Sequence, residues 1–478
     1  MKISPLWGVM ALGCATPALA DAPLPAYPTT AQGEGATING YNLSRWAEDW
    51  SVYRDPSRRD DVLDRLKYLP LDEDGDIYLT LSGEARARMN LTGNPQLVEG
   101  PEQRQDILRL VGGADLHIGD HLRFYGEIAH GQISGRNIGT PSGTFNNRFV
   151  RQQYFAEAKG RIGDVDLGVR YGRQEFTDGP NLLISQRDNN TIRFVLNGAR
   201  VWARTPTMRA TLFDFETTDL GNGGLGDDVP DRNRRFSGIS AGFVVPQNWL
   251  GGSKLFFDPF FWRRRNRVGT WGGVVAPTVR RYAGARLWGD VGRLSLDWTL
   301  VHQFGQFRDR PINAWQAFVS QSWRLGEGKS APRIGVHMDY GSGGGGYDTG
   351  TLRNAYAPYG NNIYFSYGLF LTATNMIAVA PNISFNPIDK LRASMEYQFT
   401  WREDAHDAVY RANYSPYVGT ERVGGKSVAQ LARAQLIYSI APRLTLTARG
   451  EYMRTGDVLR RAGYADSTFL GTWASFRF

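Results

Sequence analysis

The chain has 478 residues, a formal net charge of +8 and a mean hydropathy of −0.39. Past its first twenty residues no apolar run approaches the ~20 residues that a membrane helix needs, which excludes a helical membrane bundle, and a single cysteine, Cys14, excludes a disulfide scaffold. Lysines number seven among the 55 basic residues, leaving 48 arginines. Arginine's planar fork pairs carboxylates bidentately where lysine is a hydrated point charge, so the composition points to an anionic partner.

Lys2, the apolar run from Leu6 to Ala18 and Ala18-Leu19-Ala20 before Asp21 read as a secretory signal over residues 1–20. Leu12-Gly13-Cys14 matches a lipoprotein box only faintly, with Ala11 where leucine is preferred. Cleavage after Ala20 removes the cysteine, which suits an oxidising periplasm. Residues 21–75 read as an N-terminal periplasmic segment: a Pro/Gly/Thr-rich linker from Pro23 to Gly40, then one short helix over Ser57–Lys67 capped by Ser57. Asp72-Glu73-Asp74-Gly75-Asp76 hints at a calcium loop but lacks the twelve-residue spacing and its final glutamate, so a solvated turn is preferred. No metal or cofactor is expected.

Residues 76–478 change character. Ile77, Leu79, Leu81, Gly83, Ala85, Ala87, Met89 and Leu91 alternate with Tyr78, Thr80, Ser82, Glu84, Arg86, Arg88 and Asn90. A period of two puts these sets on opposite faces of a strand far longer than the ~5–6 residues usual in soluble domains. Lipid on one face and water on the other requires a closed sheet, because an open edge leaves backbone groups unpaired in the bilayer. Tight turns are expected near 119–120, 160–164, 205–207, 246–253, 289–292, 325–332, 386–389 and 441–442. Long loops are expected near 132–147, 176–191, 219–234, 263–279, 305–312, 342–371, 403–425 and 455–466. The count gives eighteen strands of an all-β, antiparallel, up-and-down transmembrane barrel, with both ends on one side and the stretch 342–386 hardest to place. Leu391–Arg402 and Leu444–Met453 repeat the alternation, and the chain ends inside its last strand on WASFRF.

These residues resemble the alginate export family of outer-membrane β-barrels over most of 77–478. The resemblance is carried by Tyr171-Gly172-Arg173-Gln174 with Phe176 and Gly179, the glycine run after Tyr340, and Asn362-Ile363-Tyr364-Phe365-Ser366 with Asn375 and Pro381. Trp401-Arg402 with Asp407 and Tyr410, and the WASFRF ending, complete it. It implies an eighteen-stranded barrel in the bacterial outer membrane that passes anionic polyuronate through an arginine-lined constriction closed by loops. It also implies Arg173 and Arg402 as lumen arginines.

Face parity adds Arg86, Arg88, Arg109, Arg123, Arg170, Arg286, Arg392, Arg449 and Arg477, with Glu84, Asp115, Glu127, Asp166, Glu396 and Glu451 among them. Taken singly, each arginine is best explained as a cross-strand partner bracing a wet lumen. As a set, an arginine excess creates a positive potential that concentrates anions, and many weak sites permit conduction. Gly341 to Gly350 is no phosphate cradle, since no Lys-Ser/Thr follows, and reads as an external loop. Phe256-Phe257-Asp258-Pro259-Phe260-Phe261-Trp262 before Arg263-Arg264-Arg265 reads as an aromatic girdle with headgroup contacts rather than a sugar-stacking ladder. Six scattered histidines offer no catalytic spacing, and nothing selects Glu84 and Glu451 as a hydrolytic pair, so an enzyme is the least favoured reading. The reading reached is a passive, anion-selective channel for an anionic polysaccharide, in export. The alternative is a porin for small organic anions or sugar acids. Expected partners are that anion, outer-membrane lipid and periplasmic export components, with no nucleic acid.

Overall fold

The computed structural model describes residues 26–28, 41–224, 226–328, 330–347 and 350–478; the expected signal at 1–20 lies outside them. Nineteen strands form one antiparallel sheet. In chain order they are β1 (Leu69–Pro70), β2 (Ile77–Gly93), β3 (Gln103–Ile118), β4 (Leu122–Ser134), β5 (Asn147–Ile162), β6 (Val165–Gln174) and β7 (Leu196–Arg204). Then come β8 (Met208–Asp219), β9 (Val229–Val244), β10 (Lys254–Trp271), β11 (Val274–Val291), β12 (Leu294–Phe307) and β13 (Arg310–Arg324). The ring continues through β14 (Arg333–Gly341), β15 (Met376–Ile388), β16 (Leu391–Trp401), β17 (Ser427–Ala441), β18 (Leu444–Thr455) and β19 (Ser467–Arg477). β19 pairs with β2 from Thr468↔Gly93 to Arg477↔Glu84, which closes β2–β19 into an eighteen-stranded barrel. β1 sits outside the ring, paired to the start of β2. No described helix is long and apolar enough to cross a membrane; the crossing is made by strands.

The period-two pattern sorts as the sequence predicts. On β16, Met395, Tyr397 and Trp401 are exposed on the outside while Gln398 and Thr400 are buried within. Short turns gather at one end with both termini of the ring, and long loops at the other. Two of the long loops expected there are absent. Where 263–279 was to be a loop, β10 and β11 run on to a two-residue turn at Gly272-Gly273, both with positive φ (53° and 77°), as a twist-matched hairpin turn requires. Where 305–312 was to be one, Arg308 takes the left-handed conformation (φ 52°) in an equally tight turn between β12 and β13. The N-terminal helix also differs. Ser57 lies inside a 3₁₀ turn capped by Asp55, and the α-helix, α1 (Val62–Arg65), is capped by Asp61 through a reciprocal capping box with Asp64.

The interior is not a uniformly wet bore. Segments 175–195, 342–347, 350–375 and 402–426 fold inward and pack against the inner faces of β8–β13, burying Phe176, Leu183, Phe213, Phe236, Trp262 and Tyr359 in one apolar core. The expected girdle is therefore split by alternation. Phe257 and Phe261 face outward, whereas Phe260 and Trp262 stack inside with ring centres 3.9 Å apart. A dense cluster of buried ion pairs lies on β2–β6, and further buried charges, among them Arg209, Asp258 and Arg280, share the wall with the apolar core. Of the stretch read as an external loop, Ser342 to Tyr347 turn inward, and Gly344 N–H donates to Asp407 at 2.7 Å.

Candidate functional site

The charged wall is built around two buried glutamates one strand position apart from arginines. Glu84 accepts from Arg109 at 2.5 Å and from Arg86 at 3.1 Å. Both arginines also bind Asp188 of the inward segment 175–195, at 2.7 and 3.0 Å. Arg193 joins the same cluster through Asp188 (2.7 Å) and Glu175 (3.1 Å). The fourth cation comes from the N-terminal segment, which was expected to lie wholly in the periplasm. Arg45 enters the short-turn end of the barrel and bridges Glu84 (2.6 Å) and Glu127 (2.8 Å), with every side chain almost completely buried. Its neighbour Trp46 lies 3.8 Å from the Arg170 guanidinium, ring centre to carbon, and its carbonyl accepts from Arg123. Arg123 also pairs with Asp115, and Arg170 with Glu157. Burying so many charges is tolerable only because each is paired and hydrogen-bonded.

Arg86, Arg109, Arg123 and Arg170, with Glu84 and Glu127, are thus engaged in holding the segments that fill the lumen. Arg286 is likewise paired with Asp297 at 2.6 Å, and Arg477 with Glu48 at 2.8 Å. Glu451 accepts from Ser366 Oγ (2.7 Å) and the Tyr367 N–H (2.6 Å), so it anchors an inward segment.

The two arginines carried over from the resemblance are placed differently from that expectation. Arg173 shares the outer-face parity of Val169 and Tyr171, and its fork donates to Asn197 Oδ1 and to the Arg151 and Asp228 carbonyls at 2.9–3.0 Å. Arg402 lies just past β16 and donates to four backbone carbonyls, those of Gly425, Asp407, Thr420 and Val423. The Arg402 guanidinium is taken up by main chain and that of Arg173 by main chain and one amide oxygen, so each fastens a loop.

Arg88 and Arg449 differ: among the described residues neither has a carboxylate in ion-pair reach. They flank the inward indole of Trp473, with guanidinium carbons 4.9 and 5.0 Å from its centre. Arg449 and Arg433 in turn flank the Tyr367 ring at 5.2 and 5.3 Å. The result is an alternating ladder of cations and rings, Arg88, Trp473, Arg449, Tyr367, Arg433. A cavity of about 300 Å³ opens onto its far end, lined also by Tyr364, Glu396, Asn181 and Asn361. Arg392 is exposed near the short-turn end. Arg88 itself is buried and donates to Asn90 and Asn189, so Arg449 and Arg433 are the guanidiniums that line the cavity, beside the Tyr364 and Tyr367 rings.

Parity within WASFRF places Trp473 with Ser475 and Arg477, and Arg433 opposite Glu396, so both were within reach of the sequence. Arg45, Asp188 and Arg193 were not, since no periodicity marks a segment that folds into a lumen.

The family model described as alginate export matches residues 77–472. No curated protein matches the chain. Among solved structures, OccK2 (OpdF) of Pseudomonas aeruginosa in complex with glucuronate aligns at 12% identity and TM-score 0.53, over 84% of this chain and 98% of that one. OccAB1 of Acinetobacter baumannii aligns at 12% identity and TM-score 0.54, over 87% and 99%. P. aeruginosa OpdK with vanillate aligns at 13% identity and TM-score 0.51, over 83% and 98%. At these identities the likeness is one of fold.

Proposed function

The chain belongs to the alginate export family and is an outer-membrane channel, and from that premise we propose that it gives passive, anion-selective passage to an alginate-like polyuronate, in export. The observation that carries this reading is the Arg88–Trp473–Arg449–Tyr367–Arg433 ladder. Carboxylated sugar rings carry one anionic group and one apolar face each, and the cavity end of the ladder offers Arg449 and Arg433 to the first and Tyr364 and Tyr367 to the second. Glu396 beside Arg433, and the amide of Gln435 beside Arg449, compete with the substrate for each guanidinium. That competition keeps any one contact weak, which sliding demands. The neutralised arginines serve by holding the lumen segments in place. The periplasmic components of export would meet the barrel at residues 41–67, the part of the N-terminal segment seated at its short-turn end.

A second reading, uptake of single sugar acids or other small organic anions, is favoured by one observation. The cavity of about 300 Å³ has room for one such ring rather than a chain of them, and proteins of the same fold have been solved with glucuronate and with vanillate. Planar-bilayer recording separates the two. Export predicts block by oligouronates and little effect of monomeric uronate; uptake predicts the reverse. In the same recordings Arg449→Ala should move the reversal potential toward cations, and an unchanged anion preference would remove the ladder from the mechanism.

A further inference from the structure

On the outer wall at the long-loop end, the registered rows of β8–β11 change chemistry within one step. Leu212, Ile239, Phe261 and Ala283 are mutual cross-strand partners, and the first three are 58, 50 and 43% exposed. They form the last apolar row of the bilayer-facing belt. The next outward row is Asp214, Ser237, Arg263 and Arg281; the one beyond is Glu216, Arg235, Arg265 and Val279. Arg263 thus stands directly opposite Arg281, and Arg265 directly opposite Arg235. Like charges in register destabilise a sheet, and nothing in barrel closure calls for them.

Asp214 takes up Arg235 through two hydrogen bonds. Glu216 is the one other acid in these rows. Among the described residues Arg263, Arg265 and Arg281 have no carboxylate within ion-pair distance, and Arg281 rests over the outward ring of Phe304. Alternation sends the intervening Arg264 inward, over the Tyr356 and Tyr359 rings. A hollow of about 200 Å³ is left between Asp214, Arg235, Ser237, Arg263 and Arg265.

We propose that this hollow, with Arg281 adjoining it opposite Arg263, is a binding site for a phosphorylated glycolipid of the outer leaflet, with Arg263, Arg265 and Arg281 as the phosphate ligands. Guanidinium forks on two adjacent strands, Arg263 and Arg265 on β10 and Arg281 on β11, lie ~5 Å apart across the ladder and ~7 Å apart along it, a spacing at which several converge on one phosphate group. Their position decides the source of that phosphate. They point away from the lumen, so the transported anion does not pass them, and they sit one registered row beyond the apolar belt, at headgroup level.

The test uses full-length protein in detergent and native mass spectrometry, with bisphosphorylated lipid A, the same glycolipid dephosphorylated, and inorganic phosphate as probes. Retention of the phosphorylated lipid alone is expected. Combined Arg263→Gln, Arg265→Gln and Arg281→Gln substitution should weaken it by about tenfold or more, with the heat-dependent gel mobility of the folded barrel kept. Ser237→Glu, which removes no arginine but places a carboxylate in the hollow, should give the same loss. Equal retention of the dephosphorylated lipid, undiminished binding by both variants, or inorganic phosphate binding as tightly as the lipid would each overturn the proposal.

Discussion

Arg402 shows how a residue can be central to a barrel without touching what passes through it. Its fork holds four carbonyls from the segment 402–426, and Asp407, whose carbonyl is one of them, accepts from Asn354, Tyr410 and Gly344. Lysine cannot replace it, because three donors on a point charge do not reproduce a planar five-donor fork. Each lost charged hydrogen bond is worth roughly 1.5–3 kcal/mol. Arg402→Lys should therefore make residues 403–425 sensitive to protease while leaving ion selectivity as in the unaltered channel. A shift in reversal potential without new proteolysis would mean that Arg402 meets the ions after all. The sequence marks Arg402 and Arg173 as special but not in what way: spacing identifies a residue at a strand end, and only the position of the loop reveals that its partners are main-chain oxygens.

At the level of elements, period-two patterning is local, so a stretch such as 77–91 declares its two faces without help from the fold. Hairpin tips are less legible, since Gly272-Gly273 and Arg308 look the same in a two-residue turn as in a loose loop. The N-terminal insertion was illegible because the carboxylates that receive Arg45 lie 39 and 82 residues away. Its seating also depends on Lys67, buried at 1% exposure with its ammonium donating to the Leu81 carbonyl and lying 4.8 Å from the Trp50 ring centre. Burial is the main cause that lowers this amine from 10.5 to about 8, with Glu48 opposing and Arg477 and Arg443 reinforcing. The seated segment thus prefers the neutral amine, and a released one keeps the ordinary value. Between about pH 8 and 10.5 the released form binds more protons, so seating should strengthen as pH rises through that window and level off above it. A nitroxide on Ser51→Cys should lose mobility across the same range, and Lys67→Met should abolish the dependence. A slope that survives in Lys67→Met would assign the titration elsewhere.

The whole molecule carries two structures with different supports. The ring is held by eighteen backbone ladders, each satisfied without reference to the interior. The filling of the lumen is held by an apolar core and by ion pairs. Trp262 lies at the junction: fully buried, stacked on Phe260, and donating its indole N–H to Ser240 at 2.9 Å. Trp262→Ala removes about 3–5 kcal/mol of packing from that core but no ladder hydrogen bond. If the two structures are separable, the variant keeps its β-type circular dichroism and heat-dependent gel mobility while single-channel conductance rises and becomes noisier as segments 175–195, 342–347 and 350–375 loosen. Loss of the folded band would show instead that the filling supports the wall. A larger conductance would identify these segments as what narrows the channel, and so connect the width of the path to the packing of one aromatic side chain.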